Sequence, residues 1–443
     1  MAKKIGFISL GCPKNQVDSE LMLKKLADAG YEIIDTPIGA DAVIINTCGF
    51  IEAAKQESID NIFEMAGYKE DGDVGKIIVV GCMAERYREE ILKEMPEVDA
   101  VAGIGANGDI VSFVDSVFEG KENMLFPEKE KLPLCGERLL TTPSYRAYLK
   151  IADGCSNCCT YCAIPKIRGP QRSRPIESIV EEAKRLASDG VKELTVIAQD
   201  TTRYGDDIYG EPKLDELLKQ LDVIDGIEWI RLLYCYPDRL TDSVLETMRD
   251  SKHVLHYIDL PLQHANGRIL KAMNRRGDSA SLLALIGKIR DYMPDCVIRT
   301  TFMTGFPGED DEAFNELSEF VNAARFDRLG CFAFSPEEGT AAADMTERPE
   351  KEVAEHRGEV IMDQQYKIFC EKQEELIGER VRCIVEDYDG YTDVYSGRTW
   401  RDAPEIDSGI FILSQRELDI GDFVDVEITD TKDYDLIGEV SDR

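Results

Sequence analysis

The sequence predicts an α/β protein with an open α/β unit at its amino end, a partial TIM-like (β/α)6 barrel in the middle and a small antiparallel β-barrel at its carboxyl end. Apolar runs alternate with amphipathic segments through most of the 443 residues, which is typical of strands and helices around parallel sheets. A charged, proline-rich stretch interrupts this alternation once. After residue 370, short β-like runs joined by Gly and Asp turns replace the helical patterns.

The first unit, predicted over residues 1–125, repeats one pattern three times. The apolar runs KIGFISLGC, DAVIINTC and KIIVVGC each read as a buried strand, and an amphipathic segment follows each of them. Cys12, Cys48 and Cys82 therefore lie just past the carboxyl ends of strands, which share one edge in a parallel sheet. A single cysteine in such a place is usually a small buried apolar residue, but three equivalent positions favour convergence on one ligand.

Residues 126–144 are predicted to be a linker, and residues 145–370 the partial barrel. The linker contains LPLCGERLL, in which Cys135 has no partner at ligand spacing. Six strand candidates follow: AYLKIADGC, KELTVIAQD, IEWIRLLYCYP, YIDLPLQH, CVIRTTFMTG and LGCFAFSP. Six units are too few for a closed eight-stranded barrel, and the chemistry of such barrels lies at the carboxyl ends of the strands.

The last unit, predicted over residues 371–443, holds 8 Lys and Arg against 21 Asp and Glu, a net charge of −13 within a chain that carries −34. An acidic surface repels phosphate backbones and attracts basic proteins, so this barrel favours a basic protein partner over a nucleic acid. No apolar run approaches the roughly 18 residues of a membrane span. The 13 cysteines, an odd number, argue against a disulfide framework. We expect a cytoplasmic protein with no membrane partner.

The segment GCSNCCTYCAIPKIRG places Cys155, Cys158, Cys159 and Cys162 within eight positions. A zinc ribbon needs a second pair of ligands, and none follows within roughly twenty residues. A thioredoxin-like pair fits CxxC formally but leaves the other cysteines unexplained. Cys155, Cys159 and Cys162 form CxxxCxxC, a compact loop that can bind three irons of a cubane and leave the fourth iron open. Cys158 is then a bystander, although the spacing also permits it as a ligand.

This motif, its continuation CAIPKIRGPQRSRP and its place after the first barrel strand resemble the radical S-adenosylmethionine enzymes. The segments GCPKNQVDSE, NTCGFIEAA, VVGCMAERY, DLPLQHANGRILKAMNRR and IRTTFMTGFPGED extend the resemblance over nearly the whole chain to the methylthiotransferases of that superfamily. The resemblance implies two 4Fe–4S clusters, one on Cys155, Cys159 and Cys162 and an auxiliary one on Cys12, Cys48 and Cys82. It also implies that the final barrel is a TRAM domain.

In this family one S-adenosylmethionine supplies a methyl group and a second supplies the radical that activates a substrate carbon, so that a methylthio group replaces a hydrogen. The RDAPEID segment and the acidity of the final barrel favour the branch that modifies the β-carbon of an aspartate in small-subunit ribosomal protein twelve. The alternative is the branch that modifies an adenosine of transfer RNA, for which a basic final domain is expected. A third hypothesis is a non-catalytic iron–sulfur electron carrier or redox sensor. Such a protein would not need the six-unit partial barrel. The reaction needs an electron donor such as a flavodoxin or ferredoxin.

Further residues are predicted to bind S-adenosylmethionine. Tyr161 is expected to pack on the adenine, and Arg299 and Met303, at or near the end of the fifth strand candidate, to meet the ribose or the carboxylate. Gln199 ends the second strand candidate, and Asp200 and His264 are expected to line the same pocket. A structural role is equally compatible with each of them, because barrel mouths also need satisfied polar groups.

Overall fold

The computed structural model describes residues 2–441, and its first unit is a six-stranded parallel sheet with helices on its faces. Its strands are β1 (Lys4–Ser9), β2 (Glu32–Ile34), β3 (Ala42–Thr47), β4 (Ile77–Gly81), β5 (Ala100–Ala102) and β6 (Met124–Leu125). Its helices are α1 (Pro13–Asp28), α2 (Glu52–Glu70), α3 (Cys82–Tyr87), α4 (Glu89–Glu94) and α5 (Ile110–Glu119). The order β2-β1-β3-β4-β5-β6 puts β1, β3 and β4 side by side. Every residue of β3 and β4 is buried, as expected of strands covered on both faces.

The second unit is a partial barrel of six parallel strands in the order β14-β13-β12-β11-β10-β7. The strands of this unit are β7 (Arg146–Lys150), β8 (Ala152–Asp153), β9 (Arg172–Ser173), β10 (Glu193–Ile197), β11 (Trp229–Leu232), β12 (Val254–Asp259), β13 (Val297–Thr304) and β14 (Arg328–Ala333). The helices are α6 (Ile164–Arg168), α7 (Ile176–Ser188), α8 (Asp206–Tyr209), α9 (Leu214–Leu221), α10 (Asp242–Asp250), α11 (Gly267–Ala272), α12 (Ser279–Tyr292), α13 (Asp311–Ala324) and α14 (Lys351–Glu374). The short strands β8 and β9 form a separate antiparallel pair.

The third unit is a closed five-stranded barrel in the order β15-β16-β17-β19-β18. Its strands are β15 (Arg380–Asp389), β16 (Val394–Thr399), β17 (Ile410–Leu413), β18 (Phe423–Lys432) and β19 (Asp435–Val440). The predicted α/β class with a small final barrel is confirmed, but the barrel is not wholly antiparallel, because β17 and β19 run parallel. A ring of five strands cannot alternate direction all the way round, so closure forces at least one parallel pair.

Alternation along the strands separates the interior of the partial barrel from its helical coat. On β13, Ile298 and Phe302 pack in the core that contains the helix residues Leu317 and Phe320. Val297, next to Ile298, belongs instead to the cluster that fills the interior. All three units contribute residues to that interior cluster. Helix α1 contributes Val17 and Leu21, and the final unit contributes Ile384 and Ala403. The partial barrel contributes Tyr148, Ile197, Trp229, Leu233 and Tyr257. Helix α1 therefore covers one end of the barrel and the final unit covers the other.

A buried ion-pair cluster fixes the final unit to the partial barrel. The carboxylate of Glu193 on β10 lies 3.1 Å from Arg231 on β11 and 2.6 Å from Arg398 on β16. All three side chains are buried. Burial alone would raise the pKa of Glu193, but Arg398 and Arg231 hold that pKa at about 2. The segment between β16 and β17 adds Glu405, whose carboxylate accepts hydrogen bonds from Arg146 and Tyr148 at 2.6 and 2.9 Å.

The stretch predicted to be a linker packs along α1 rather than crossing open solvent. Arg138 lies 3.0 Å from Glu20 of α1 and 2.9 Å from Glu182 of α7, and all three side chains are buried. The connection therefore helps to hold the first two units together. None of the helices within residues 2–441 has the length and apolar content needed to cross a membrane.

Candidate functional site

Three cysteines follow the adjacent strands β1, β3 and β4 and meet at one edge of the first sheet. Cys12 is the N-cap of α1, Cys48 comes directly after β3, and Cys82 opens α3 directly after β4. Their thiols are close enough to influence one another electrostatically. Parallel strands end at the same edge, and the structure therefore brings together the three positions singled out by the repeated strand pattern.

Glycines beside these cysteines permit the close approach. Gly11 has a φ of +86°, and a Cβ on it would lie 2.6 Å from the Cβ of Cys48. A Cβ on Gly49 would lie 2.8 Å from the Cα of Met83. Contacts this short do not occur, so any side chain at either position would push the strand ends apart. The glycines next to the cysteines are part of the site.

Cys48 and Cys82 of the first triad are buried and Cys12 is partly buried, and this governs their chemistry. Burial raises the pKa of Cys82 to about 12, an effect that Arg168 opposes and that Cys12 and Cys48 reinforce. Burial also raises the pKa of Cys48, and Cys12 adds to that rise. These thiols are therefore protonated until a metal displaces their protons. Arg168 supplies a buried positive charge beside the place where thiolates would form.

The second triad lies on the loop that follows β8, beyond the carboxyl end of β7. Backbone hydrogen bonds hold this loop: the N–H of Cys155 donates to Gly169 at 3.1 Å and the N–H of Thr160 donates to Met273 at 3.1 Å. Cys158 takes a left-handed conformation with φ +54°, and it is exposed whereas Cys155, Cys159 and Cys162 are partly buried. The turn at Cys158 thus faces this thiol outward.

Burial raises the pKa of Cys162 to about 12, and Cys159 and Cys155 raise it further. The pKa of Cys155 is raised to about 11, again chiefly by burial. Arg275 approaches this triad, with its Nη1 at 4.0 Å from the Sγ of Cys159 and its guanidinium 4.3 Å from the ring centroid of Tyr236. A fixed cation beside the thiolates stabilises added negative charge.

Tyr161 and Met303 pack against the same group of buried residues, which includes Phe306 and Ile269. Gln199 follows β10, and both polar atoms of its side-chain amide are buried without a hydrogen-bond partner among the described residues. An unpartnered buried amide costs free energy unless a ligand satisfies it. Gln199 is therefore the predicted pocket residue whose side-chain amide is best suited to bind a polar group of a ligand.

The other predicted pocket residues have partners of their own. Arg299 is the third of eight residues of β13 rather than at its end, and its guanidinium lies 2.8 Å from Asp259 and 3.7 Å from Asp407. The prediction that placed it at or near the end of the strand is wrong, because β13 continues five residues beyond the position where its pairing with β12 ends. His264 is buried, with Nδ1 accepting hydrogen bonds from two backbone N–H groups and Nε2 3.3 Å from Glu309. Asp200 accepts a hydrogen bond from Asn157 in the cysteine loop at 2.6 Å.

The two triads are neighbours. Cys82 of the first packs in one buried cluster with Ala163 and Ile167, and Ala163 directly follows Cys162 of the second. The edge of the first sheet therefore packs against the segment that follows the second triad.

A buried network of charges locks this arrangement. Arg168, at the end of α6, lies 2.9 Å from Asp18 of α1 and 2.7 Å from Asp153 of β8. Lys150 of β7 is ion-paired with the same two carboxylates. Although burial alone would raise it, Arg168 and Lys150 hold the pKa of Asp153 below its usual value. The sequence patterns did not indicate this network, nor the positions of Arg275 and Tyr236. The available signal was KIRG, a basic residue six positions after Cys162.

Each triad suits a 4Fe–4S cluster. Cysteine thiolates are the ligands of such clusters, and three of them leave one iron open. Within residues 2–441 no group of three or more His, Cys, Asp or Glu side chains surrounds one metal position. In a cubane each thiolate binds a different iron, so the sulfurs stand farther apart than the ligands of one zinc ion.

A cavity of about 440 Å³ lies elsewhere, bounded by Arg328, Phe369, Asp407 and Tyr434 between β14, α14 and the final barrel. None of the six triad cysteines lines it. Thiol chemistry and the unpartnered amide, rather than cavity size, therefore locate the site.

Three protein families match successive parts of the chain. An uncharacterized protein family, UPF0004, matches residues 4–103, the radical SAM superfamily matches residues 149–321, and the TRAM domain matches residues 377–440. The first two matches contain the two triads. The third lies within the closed five-stranded barrel.

Curated relatives are similar over the whole chain. A protein of Desulforamulus reducens named ribosomal protein uS12 methylthiotransferase RimO is 49% identical over 444 residues, covering 99% of each chain. Relatives of the same name from Lachnoclostridium phytofermentans and Clostridioides difficile are 47% and 46% identical, covering 98% and 99% of this chain and 99% and 98% of the relatives. Among solved structures, the radical S-adenosylmethionine methyltransferase TsrM from Kitasatospora setae has a TM-score of 0.60 at 11% identity, covering 88% of this chain and 79% of that one. This last likeness concerns the fold alone.

Proposed function

The chain belongs to the family of ribosomal protein uS12 methylthiotransferases, and on that premise we propose that it inserts a methylthio group at the β-carbon of an aspartate in small-subunit ribosomal protein twelve. Its cofactors are two 4Fe–4S clusters and S-adenosylmethionine. When bound, these cofactors supply the hydrogen-abstracting radical and the methylthio group that replaces the hydrogen. The chain's own residues bind the cofactors, exclude water and orient the substrate.

The observation that carries the proposal is the packing of Cys82 of the first triad against the segment that directly follows the second triad. A carbon activated beside one cluster must receive its methylthio group from the other before solvent or another donor reacts with it. The packing of Cys82 against Ala163, the residue after Cys162, supports this short transfer. An electron carrier would need neither two open clusters side by side nor the buried amide of Gln199.

We assign the residues as follows. Cys12, Cys48 and Cys82 hold the auxiliary cluster, and Cys155, Cys159 and Cys162 hold the cluster that binds S-adenosylmethionine. Gln199, Tyr161 and Met303 line the cofactor pocket, with the Gln199 amide donating to or accepting from a polar group of the cofactor. Arg299 is left out, because its guanidinium is held by Asp259.

The division into units at residues 125, 145 and 370 belongs to the same proposal, with the final barrel as the docking unit. Its outer face carries Asp425 and Glu427 on β18 and Glu439 on β19, all exposed or partly exposed. This charge supports docking of a basic ribosomal protein and disfavours transfer RNA. We infer that the enzyme works in the cytoplasm with a flavodoxin or ferredoxin as electron donor.

The test offers reconstituted, reduced enzyme a mixture of small ribosomal subunits and bulk transfer RNA with S-adenosylmethionine, without oxygen. Mass spectrometry of both pools should find a methylthio-sized gain on an aspartate of the ribosomal protein. Because docking between charged surfaces is screened by salt, the initial rate should fall as ionic strength rises. A gain on adenosine would keep the chemistry and overturn the substrate.

A second test separates the two clusters. Replacing Cys12, Cys48 and Cys82 together by alanine should lower the iron content from about eight to about four per chain. Cleavage of S-adenosylmethionine should persist in this variant, whereas methylthio transfer should be lost. Intact transfer would remove the auxiliary site from the proposal.

A further inference from the structure

Lys14 is a buried lysine with no role among the cluster ligands and cofactor-pocket residues. It is the second residue of α1, two positions after Cys12, and its side chain is among the buried charged groups, with the residue 6% exposed. Its ammonium lies 3.2 Å from the ring centroid of Tyr234. Within residues 2–441 that ammonium has no ion pair and no hydrogen bond to a carboxylate, so the aromatic face is its one electrostatic contact there.

This placement is unfavourable for the ligand-free protein. Lysine is almost never this deeply buried unless a counter-charge accompanies it. A cation in the first turn of a helix is also opposed by the helix dipole, which is positive at that end. Asp18, one turn along the same helix, is the natural partner, but Lys150 and Arg168 occupy its carboxylate. A structural ion pair therefore does not account for Lys14.

The position of Lys14 points to a ligand between the two triads. Tyr234 follows β11, and its backbone N–H donates to Asp259, the last residue of β12, at 3.0 Å. Tyr234 thus lies at the carboxyl ends of the barrel strands, the end of the barrel at which the second triad lies. Lys14 reaches this ring from the helix that begins beside Cys12 of the auxiliary triad. The ammonium of Lys14 thus lies where α1 meets the carboxyl ends of the barrel strands.

We propose that Lys14 binds the side-chain carboxylate of the substrate aspartate and so selects an acidic side chain. This rests on the proposed function. The β-carbon to be modified carries that carboxylate directly, so fixing the carboxylate fixes the carbon to within one bond. A carboxylate cannot enter a buried site without a counter-charge, and Lys14 provides one that no carboxylate within residues 2–441 neutralises. An adenosine carries no such group, and Lys14 therefore also disfavours a nucleoside.

The test is a competition between two forms of recombinant ribosomal protein, with Asp or Asn at the modified position, in one reaction with reconstituted holoenzyme. Product masses give the ratio of kcat/KM for the two forms. The wild-type enzyme should prefer Asp by about thirtyfold or more, the scale of a buried charge pair. In Lys14→Met, kcat/KM for the Asp form should fall by about this factor, so that the ratio for the two forms comes close to one. Lys14→Arg should restore part of the preference for the Asp form.

The matched control is Lys24→Met, on the same helix, whose lysine is paired with Asp28 at 2.5 Å on the surface and should leave the ratio at its wild-type value. A wild-type ratio in Lys14→Met would overturn the inference. So would loss of iron in Lys14→Met but not in Lys24→Met, because the lysine would then serve the cluster. If the wild-type enzyme transfers the methylthio group to adenosine instead of aspartate, the proposed function itself is wrong. If Lys14→Met modifies aspartate with the wild-type ratio of kcat/KM values, only the role of Lys14 is wrong.

Discussion

Replacing Glu193 by glutamine should loosen the final barrel from the partial barrel. The substitution keeps the shape of the side chain but leaves Arg231 buried without its counter-charge and Arg398 with Glu386 as its remaining carboxylate partner. The pKa of Glu193 lies at about 2 against an ordinary 4.5, and a difference of that size corresponds to about 3 kcal/mol of stability at neutral pH. With a urea dependence of about 1–3 kcal/mol per molar, the unfolding midpoint should fall by about 1–3 M.

Tryptophan fluorescence is the assay, because the chain has two tryptophans and both lie at this junction. Trp229 packs edge-on against Phe423 at 4.7 Å, and the Trp400 carbonyl accepts a hydrogen bond from Arg231. The depressed pKa fixes the sign of the pH effect: the contribution of Glu193 is complete above pH 4.5 and is lost as pH falls from there towards 2. That acid-dependent loss should be absent from the glutamine variant.

The matched control is Glu228→Gln at the same junction, since Glu228 pairs with Arg382 at 3.3 Å and both side chains are about half exposed. An exposed pair contributes about 1 kcal/mol at most, so its midpoint should hardly move. Equal shifts of the unfolding midpoint in the two variants, or no shift in Glu193→Gln, would refute the reasoning. The buried Glu193 cluster would then not be the main interaction that holds the final barrel to the partial barrel.

Three further predictions concern the cofactor site. Gln199→Ala should weaken S-adenosylmethionine binding by about threefold to tenfold without loss of iron, as calorimetry would measure, because one or two hydrogen bonds disappear. Cys158→Ala should keep its full iron content in the absorption spectrum and in iron analysis, since that thiol faces solvent, whereas Cys159→Ala should lose one cluster. Arg275→Met should lower the reduction potential of the neighbouring cluster in a titration followed by electron paramagnetic resonance, because a cation 4.0 Å from Cys159 favours the added electron.

The sequence was sufficient to predict the fold class and the convergence of Cys12, Cys48 and Cys82, because both follow from local patterns. Strand ends in a parallel sheet share an edge, so a residue type repeated at those ends needs no long-range information to be placed. The six strand candidates of the partial barrel followed in the same way from the alternation of apolar runs and amphipathic segments. The parallel pair β17 and β19 did not, because it depends on how the ring closes and not on any local pattern.

Residues that act across units were beyond the sequence. Arg168 and Asp18 are 150 positions apart, and nothing local to either residue indicates the other. Arg299 was misplaced for a related reason: its strand continues five residues past it, and the apolar pattern VIRTTFMT does not mark where the neighbouring strands stop. Gln199 was placed correctly at a strand end, but only the structure reveals that its amide lacks a partner.

The charges between α1 and the barrel show why Lys14 stays available. Buried ion pairs rarely stabilise a fold more than apolar packing of the same volume would, so the pairs of Asp18 and Asp153 with Lys150 and Arg168 are better explained by the geometry they impose. They fix α1, and with it Cys12, against α6, which begins two residues after Cys162. The same pairs occupy the one carboxylate within reach of Lys14 along its helix. The network that fixes the two triads relative to one another thus leaves the ammonium of Lys14 without a carboxylate partner among residues 2–441, at the place where we propose that the substrate carboxylate binds.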